Sequence, residues 1–415
     1  MEDDTDAAFI PMEKIDATYL SNFTYSVRKW KEIKSGFTHF ADGDVAFAKI
    51  TPCFQNRKSM ILKALPNGIG AGTTELKVLR TYGETLSKEY LLFFLESPYF
   101  VEEAKFKGTA NQQRIISGYL EEKLFPIPPM EEQKRVVEKI LNSFAIVEKY
   151  SKAQEMLDNL NKNISPLLRK SILQEAIQGH LVPQDPNDEP ASVLLQHIKE
   201  EKLRLVKEGK LKKKDVVDSV IYKGDDNRYY EQIGKNVIDI TGEIPFDIPK
   251  TWEWCRMGMI GVWGSGSTPS KGNPDYYGGN ILWLRTGELN NNVVYDTEIK
   301  ITEKALENCS LRLNHVGDVL IAMYGATIGK VAIAGTEMTT NQACCACTPI
   351  GIFNWYLFYF LMGSQQDFIK KGEGGAQPNI SREKLISHLI PIPPFAEQKR
   401  IVNTIKKIFS EIKGD

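Results

Sequence analysis

The chain reads as an α/β protein of the α+β kind, two copies of one strand-rich domain separated by long helical segments of coiled-coil character. Three observations predict this. A twelve-residue motif occurs twice at domain-length separation. Each copy is preceded by short β-branched and aromatic runs punctuated by Gly, Asn and Asp. Each is followed by apolar residues spaced by three and four.

The motif is Pro126-Ile127-Pro128-Pro129-Met130-Glu131-Glu132-Gln133-Lys134-Arg135-Val136-Val137, which returns as Pro391-Ile392-Pro393-Pro394-Phe395-Ala396-Glu397-Gln398-Lys399-Arg400-Ile401-Val402. Nine of the twelve positions are identical, at an offset of 391 − 126 = 265. Upstream, Gly43-Asp44-Val45-Ala46-Phe47-Ala48 matches Gly317-Asp318-Val319-Leu320-Ile321-Ala322, and Tyr90–Leu95 matches Tyr356–Leu361. Thr73-Thr74 matches Thr339-Thr340, and Gly108–Gln112 matches Gly374–Pro378. A period this long marks a duplicated domain, because solenoid units run about 20–50 residues.

Within each copy, strands and turns lead to a helix (Ser87–Phe106; Asn354–Lys371), a Gly-rich polar loop and Pro-x-Pro-Pro. Proline lacks a donor and fixes φ, so that tetrad is extended, and its last proline sits near a helix start. From Glu131 to about Asn163 the apolar positions Val137, Ile140, Phe144, Val147, Leu157, Leu160 and Ile164 form a seam with a phase shift near Ser151. A helix of that length spans roughly 50 Å. Ser165-Pro166 predicts a fresh helix start, and Gly179 a stop. A second helix is expected over Ser192–Lys210, then a charged, mobile linker from Lys212 to about Lys235.

Bulk composition is that of an ordinary globular chain: 415 residues, 42% hydrophobic, 25% charged, net charge −1. Two or three domains fit that length. The charge balance offers no basic surface excess, so nucleic-acid binding has to rest on local features. Of six cysteines, Cys344, Cys345 and Cys347 crowd too tightly for tetrahedral zinc and read as apolar thiols on a buried strand. With no apolar run of about 20 residues and an acidic start, a cytoplasmic protein without membrane contact is expected.

The alternation of two domains with helices headed by Pro-x-Pro-Pro-x-x-Glu-Gln-Lys-Arg-x-Val resembles the specificity subunits of type I restriction–modification enzymes. Trp252-x-Trp254, Gly264-Ser265-Gly266-Ser267-Thr268-Pro269, Tyr276-Tyr277-Gly278-Gly279, Thr339-Thr340-Asn341-Gln342 and Gln174–Gly179 are further matches. The resemblance implies two target-recognition domains, each reading one half of a bipartite site in double-stranded DNA. It also implies helices that set the distance between halves and dock methyltransferase subunits, with motor-nuclease subunits joining for restriction. The chain would then be non-catalytic, holding no metal or cofactor itself, while S-adenosylmethionine, ATP and magnesium act through partner subunits. The boundaries implied are 1–129 for the first target-recognition domain, 130–210 for a central helical spacer and 211–245 for a linker. The second target-recognition domain is placed at 246–393 and the start of a distal helical spacer at 394–415. Relative to the family pattern, the first domain lacks a counterpart of Trp252–Pro274, with Phe9–Met12 answering to Ile281–Leu284. The distal helix runs only about twenty residues past Pro394.

Base edges and phosphates are read by Arg, Lys, Asn, Gln, Ser, Thr and Tyr on loops. In the first domain the candidates are Lys49, Thr51, Gln55, Asn56, Arg57 and Lys58 after a strand, with Asn111, Gln112, Gln113 and Arg114 in the Gly-rich loop. In the second they are Ser265, Ser267, Thr268, Ser270, Lys271, Arg285, Thr286, Tyr324, Thr327, Lys330, Gln377 and Asn379. Thr339–Gln342 is either a DNA-facing turn or a capping motif, and Glu-Gln-Lys-Arg either docks a partner or caps a helix.

Rival chemistries have thinner support. Asp275 with Glu298 and Lys300 permits a magnesium nuclease, though the first copy has no equivalent. Asn273-Pro274-Asp275-Tyr276 grazes an amino-methyltransferase pattern, and Gly325–Lys330 lacks the spacing of a phosphate loop. A coiled-coil scaffold without DNA reading is the non-enzymatic alternative. None of the five histidines is assigned a catalytic role.

Overall fold

A computed structural model describes the chain except residues 18, 21, 84, 110–111, 214–215, 217–218, 373–378 and 413–415. It divides into two compact units, Met1–Asp158 and Asn159–Asp415. Both mix sheets with helices.

In the first unit, a four-stranded sheet has the order Ser26–Lys29, Asp6–Ile10, Ile69–Gly72, Thr38–Ala41. A three-stranded antiparallel sheet has Val45–Ala48 between Ser59–Ile61 and Leu76–Leu79. Val45–Ala48 is buried throughout, which is why it reads as a continuous apolar run. Ala46 joins the core formed by Ile10, Phe40, Met60 and Leu62. Val45 and Phe47 join Phe54, Leu91, Leu92, Leu95 and Phe100 under helix Lys88–Glu96. Hairpin Phe106–Thr109/Gln112–Ile115 follows.

In the second unit, the five-stranded sheet has the order Gly261–Ser265, Cys344–Pro349, Val319–Ala322, Val331–Ala334, Asn292–Val294. Cys344 and Ala346 point into one core, Cys345 and Cys347 into the other. Burial pushes all three thiols up, Cys345 to about 11, so they act as apolar side chains.

The same devices recur in both units. Gly43 and Gly317 make the turn before the buried strand with φ of 90° and 91°. The Asp44 and Asp318 carboxylates then accept from the Ala41 and His315 N–H groups. The Tyr90 and Tyr356 hydroxyls donate to the Pro126 and Pro391 carbonyls. Parallel pairing of Ile10 with Gly72 and of Trp283 with Thr339 agrees with aligning Phe9–Met12 on Ile281–Leu284.

Two sequence expectations are corrected. The helix starting at Met130 continues to Ile177 with Pro166 inside it, and no new helix starts at Ser165. Pro166 removes the N–H that would serve the Lys162 carbonyl, but this stretch is almost wholly exposed and water can replace the donor. Gly179 ends the helix with φ +78°, and a Cβ there would meet Pro249 Cγ at 2.5 Å. The segment expected to be a mobile linker instead holds an antiparallel sheet, Ser219–Lys223, Tyr229–Ile233 and Asn236–Asp239. Its inner face carries one ion pair, Glu231 with Arg256 at 2.5 Å, to which the Ser219 hydroxyl donates at 2.6 Å. Its buried positions are Ser219, Ile221 and Glu231, and two polar residues among the three hide the alternation that identifies strands. Helix Ala191–Lys207 buries Ala191, Leu194 and Ile198, near the expected span.

His388 offers a test of the second unit's core. Burial beside Phe360 and Phe368, with Lys371 and Arg256 close by, pushes its imidazole down to about 3 from an ordinary 6.5. It therefore stays neutral in the fold and accepts from Lys371 Nζ at 2.8 Å. Between those two values the unfolded chain binds a proton that the folded chain refuses, so stability falls as pH drops below 6.5. Urea midpoints at pH 7 and pH 5 should show His388→Gln losing about 1–2 kcal/mol less than wild type over that step. Equal losses in both would show that His388 protonates in the folded chain.

Candidate nucleic-acid interface

In the first unit the hairpin docks onto the end of the buried strand. Thr51 N–H donates to the Gln113 carbonyl at 2.8 Å, and Gln113 N–H to Thr51 Oγ1 at 3.1 Å. Ile115 N–H donates to the Lys49 carbonyl at 2.9 Å, and Ile50 bridges Arg114. Lys49, Thr51, Gln112, Gln113 and Arg114 are thereby brought to one edge. Gln55 and Asn56 continue from it as an exposed loop anchored by buried Phe54. Asn111 lies outside the described residues.

Arg114 is half-exposed and forked onto Glu75, Nη2 to Oε1 at 2.6 Å, which holds the Glu75 carboxyl below its usual range. A bidentate pair fixes the guanidinium plane while leaving part of it open to a ligand. Arg57 and Lys58 do not join this edge. Arg57 Nε donates to the Glu96 carbonyl at 2.9 Å, and Lys58 Nζ to the Met12 carbonyl at 2.9 Å. Both tie the loop to its own unit.

The second unit repeats the edge. Tyr324 bridges Asn379 as Ile50 bridges Arg114, and Ile380 N–H donates to the Met323 carbonyl as Ile115 N–H does to that of Lys49. Thr327 Oγ1 donates to the Tyr324 carbonyl at 3.1 Å, and Lys330 N–H to the Thr327 carbonyl at 2.9 Å. Tyr324, Thr327, Lys330 and Asn379 therefore share one place, while Gln377 lies outside the described residues.

Two further groups stand apart in sequence. Ser265 pairs with Cys345 at the end of its strand, and Ser267 and Thr268 lie on 339–342: Ser267 N–H donates to the Thr340 carbonyl at 3.0 Å, and the Thr268 hydroxyl meets the Gln342 side chain. The intervening Gly266 is obligatory, since a Cβ would sit 2.2 Å from the Thr340 carbonyl oxygen. Ser270 and Lys271 are exposed beyond it. Thr339 and Thr340 are buried, and Thr339 Oγ1 donates to the Leu282 carbonyl at 2.9 Å. Of that tetrad, Gln342 alone is exposed. Arg285 and Thr286 form a turn in which Arg285 N–H donates to Glu288 Oε1 at 3.0 Å and the guanidinium pairs with Glu298.

Sequence reasoning did not single out Glu75 and Glu288, and it read Glu298 only as a nuclease candidate, although all three are carboxylates that aim these arginines. The three-residue step from Arg285 to Glu288 was a readable signal for one of them. The acids and lysine of the nuclease alternative are divided among separate ion pairs: Asp275 with Lys304, Glu298 with Arg285, and Lys300 with Asp296.

The Glu-Gln-Lys-Arg motifs have a resolved structural role through glutamine. Gln133 Oε1 accepts from the Ser87 N–H at 2.8 Å, and Gln398 Oε1 from the Phe353 N–H at 2.8 Å. Each contact satisfies the N-cap residue of the helix packed ahead of the proline tetrad. Their Nε2 groups donate to the Pro128 and Pro393 carbonyls at 2.8 and 3.0 Å.

Comparison with known proteins follows the same lines. Residues 249–414 match the family model described as type I restriction modification DNA specificity domain. The EcoEI specificity subunit of Escherichia coli is 32% identical over 465 aligned residues, covering 98% of this chain and 74% of that protein. The EcoAI specificity subunit of the same organism is 30% identical, with the same two coverages. Among solved structures, the HsdS subunit of Thermoanaerobacter tengcongensis superposes with a TM-score of 0.56 at 19% identity, over 99% of this chain and 84% of that one. The chain belongs to the specificity subunits of type I restriction enzymes.

Proposed function

We propose that this chain selects the DNA site for a type I restriction–modification complex, and that each unit reads one half of a bipartite duplex sequence. The observation carrying this is the repeated edge, Ile50 against Arg114 and Tyr324 against Asn379, which presents polar side chains from two loops side by side in each unit. Catalysis belongs to partners: methyltransferase subunits using S-adenosylmethionine, and motor-nuclease subunits using ATP and magnesium. The long helix supports docking of helical partners, because its seam residues Val147, Leu157, Leu160 and Ile164 are exposed. Among the described residues, no helix is long and apolar enough to cross a membrane.

The test is DNA affinity of the complex with its methyltransferase subunit, measured on cognate and scrambled duplexes across salt. Arg114→Ala and Arg285→Ala should each weaken cognate binding by about 1–3 kcal/mol and relax specificity in one half-site. Loss of their surface ion pairs costs the fold at most about 1 kcal/mol. Lys330→Ala should instead weaken both duplexes alike and reduce the log–log salt slope by about 0.9, the signature of one phosphate contact. Unchanged affinity and slope in all three variants would remove these edges from the interface and leave the scaffold reading.

A further inference from the structure

In the second unit, the end of the long helix, the segment 242–246 and helix Gln365–Lys371 surround a partly open cavity of about 610 Å³. That is the size of a site for a small organic molecule. Ile177, Phe246, Phe360 and Leu389 give it an apolar wall. Among the described residues, the last helix, Phe395–Glu411, contributes nothing to that wall. It meets the long helix farther back, where Arg169 lies over the Phe409 ring at 5.0 Å.

Two hydrogen-bond donors of the wall have no acceptor among the described residues. Trp254 is 3% exposed, and nothing accepts from its buried indole Nε1. Trp252, two residues earlier, by contrast donates to Glu397 at 3.1 Å. His388 Nδ1 accepts from Lys371 Nζ at 2.8 Å, so the neutral ring carries its proton on Nε2, where it also lacks an acceptor. A buried indole N–H without a partner is rare in a native fold, and it calls for an acceptor supplied from outside the chain. The charges agree with that. Lys370 and Lys371 line the cavity together with Glu243 and Asp367. Glu243 is already held by Arg256 Nη1 at 2.7 Å, which leaves two ammonium groups against the one carboxylate of Asp367. Two neutral N–H donors and one positive charge in excess, set beside an apolar wall, suit a single carboxylate on a flat apolar body.

We propose that this cavity binds a small aromatic monocarboxylate, its oxygens accepting from Trp254 Nε1 and His388 Nε2 beside Lys371, with its ring against Phe246 and Phe360. An occupant would brace the end of the long helix against the domain, because the walls come from both. None of these groups belongs to the reading edges, so the site stands whether or not the unit reads DNA.

The experiment titrates the full chain, carrying isotope-labelled tryptophan, with naphthylacetate while the indole N–H resonances of its 6 tryptophans are followed. Saturable one-to-one binding is expected with a Kd of about 1 mM or below. The indole resonance that shifts most should be the one missing from Trp254→Phe. Naphthylacetamide, which keeps the ring without the charge, should bind about tenfold more weakly. Trp254→Phe should weaken naphthylacetate binding about tenfold, the loss of one hydrogen bond to a charged group. Lys371→Gln, at an exposed position, leaves the tryptophan in place and should weaken binding about threefold, which keeps the test decisive if Trp254→Phe does not fold. Absence of saturable binding, equal affinity for the amide, or indifference to Lys371→Gln each overturns the proposal. So does a largest shift at an indole other than that of Trp254, since the probe would then sit elsewhere.

Discussion

Phe100→Ala should destabilise the first unit by about 3–5 kcal/mol, the range for truncating a fully buried aromatic side chain. Phe100 is wholly enclosed, with its ring 5.8 Å from Phe47, 5.7 Å from Phe54, 5.5 Å from Phe94 and 5.6 Å from Tyr119. Phe54 in turn packs on Phe106 at 5.5 Å. One ring therefore supports the buried strand through Phe47, the loop bearing Gln55 and Asn56 through Phe54, and the hairpin bearing Gln112–Arg114 through Phe106. Removing it opens a cavity beneath both loops of the proposed reading edge, and the aromatic pairs add to the loss. Hydrogen exchange should accelerate across 45–61 and 88–119 while 319–349 keeps its protection. In a methylation assay, discrimination should fail in one half-site alone. Protection lost equally in both units would show that they do not unfold separately.

Gln398→Leu should cost about 2–4 kcal/mol, because it strands two buried backbone groups with little change of volume. The Phe353 N–H loses its acceptor at the start of helix Asn354–Gly363, and the Pro393 carbonyl loses its donor. Gln133→Leu should act similarly in the first unit, where the Ser87 N–H and the Pro128 carbonyl lose theirs. Gln398→Glu keeps the acceptor, but it sacrifices the Pro393 contact and buries a charge, so it should not rescue. Chemical denaturation of the four proteins checks this, and a loss below about 0.5 kcal/mol for Gln398→Leu would indicate that water replaces the side chain.

Those glutamines also show why recurrence was a good guide and an incomplete one. Identical residues 265 apart marked them as doing one job twice. Periodicity and capping rules look only a few residues along the chain, and they pointed to the motif's own helix. The actual partner is a backbone N–H 46 residues away for Gln133 and 45 for Gln398. The candidate DNA residues divided for a related reason. Arg57 and Arg114 are alike as sequence, yet one donates to a backbone carbonyl of its own unit and the other is forked and half-exposed on Glu75.

By itself the sequence determined the duplication, the helix after each proline tetrad, the burial of the strand that carries Cys344, Cys345 and Cys347, and the family. Each depends on local chemistry: proline geometry, apolar periodicity and repeated residue identity. Tertiary structure alone decided that Pro166 lies inside a continuous helix and that 219–239 folds as a sheet on the Glu231–Arg256 pair. These outcomes turn on which distant groups reach a side chain or a backbone edge, and no spacing rule along the chain encodes that.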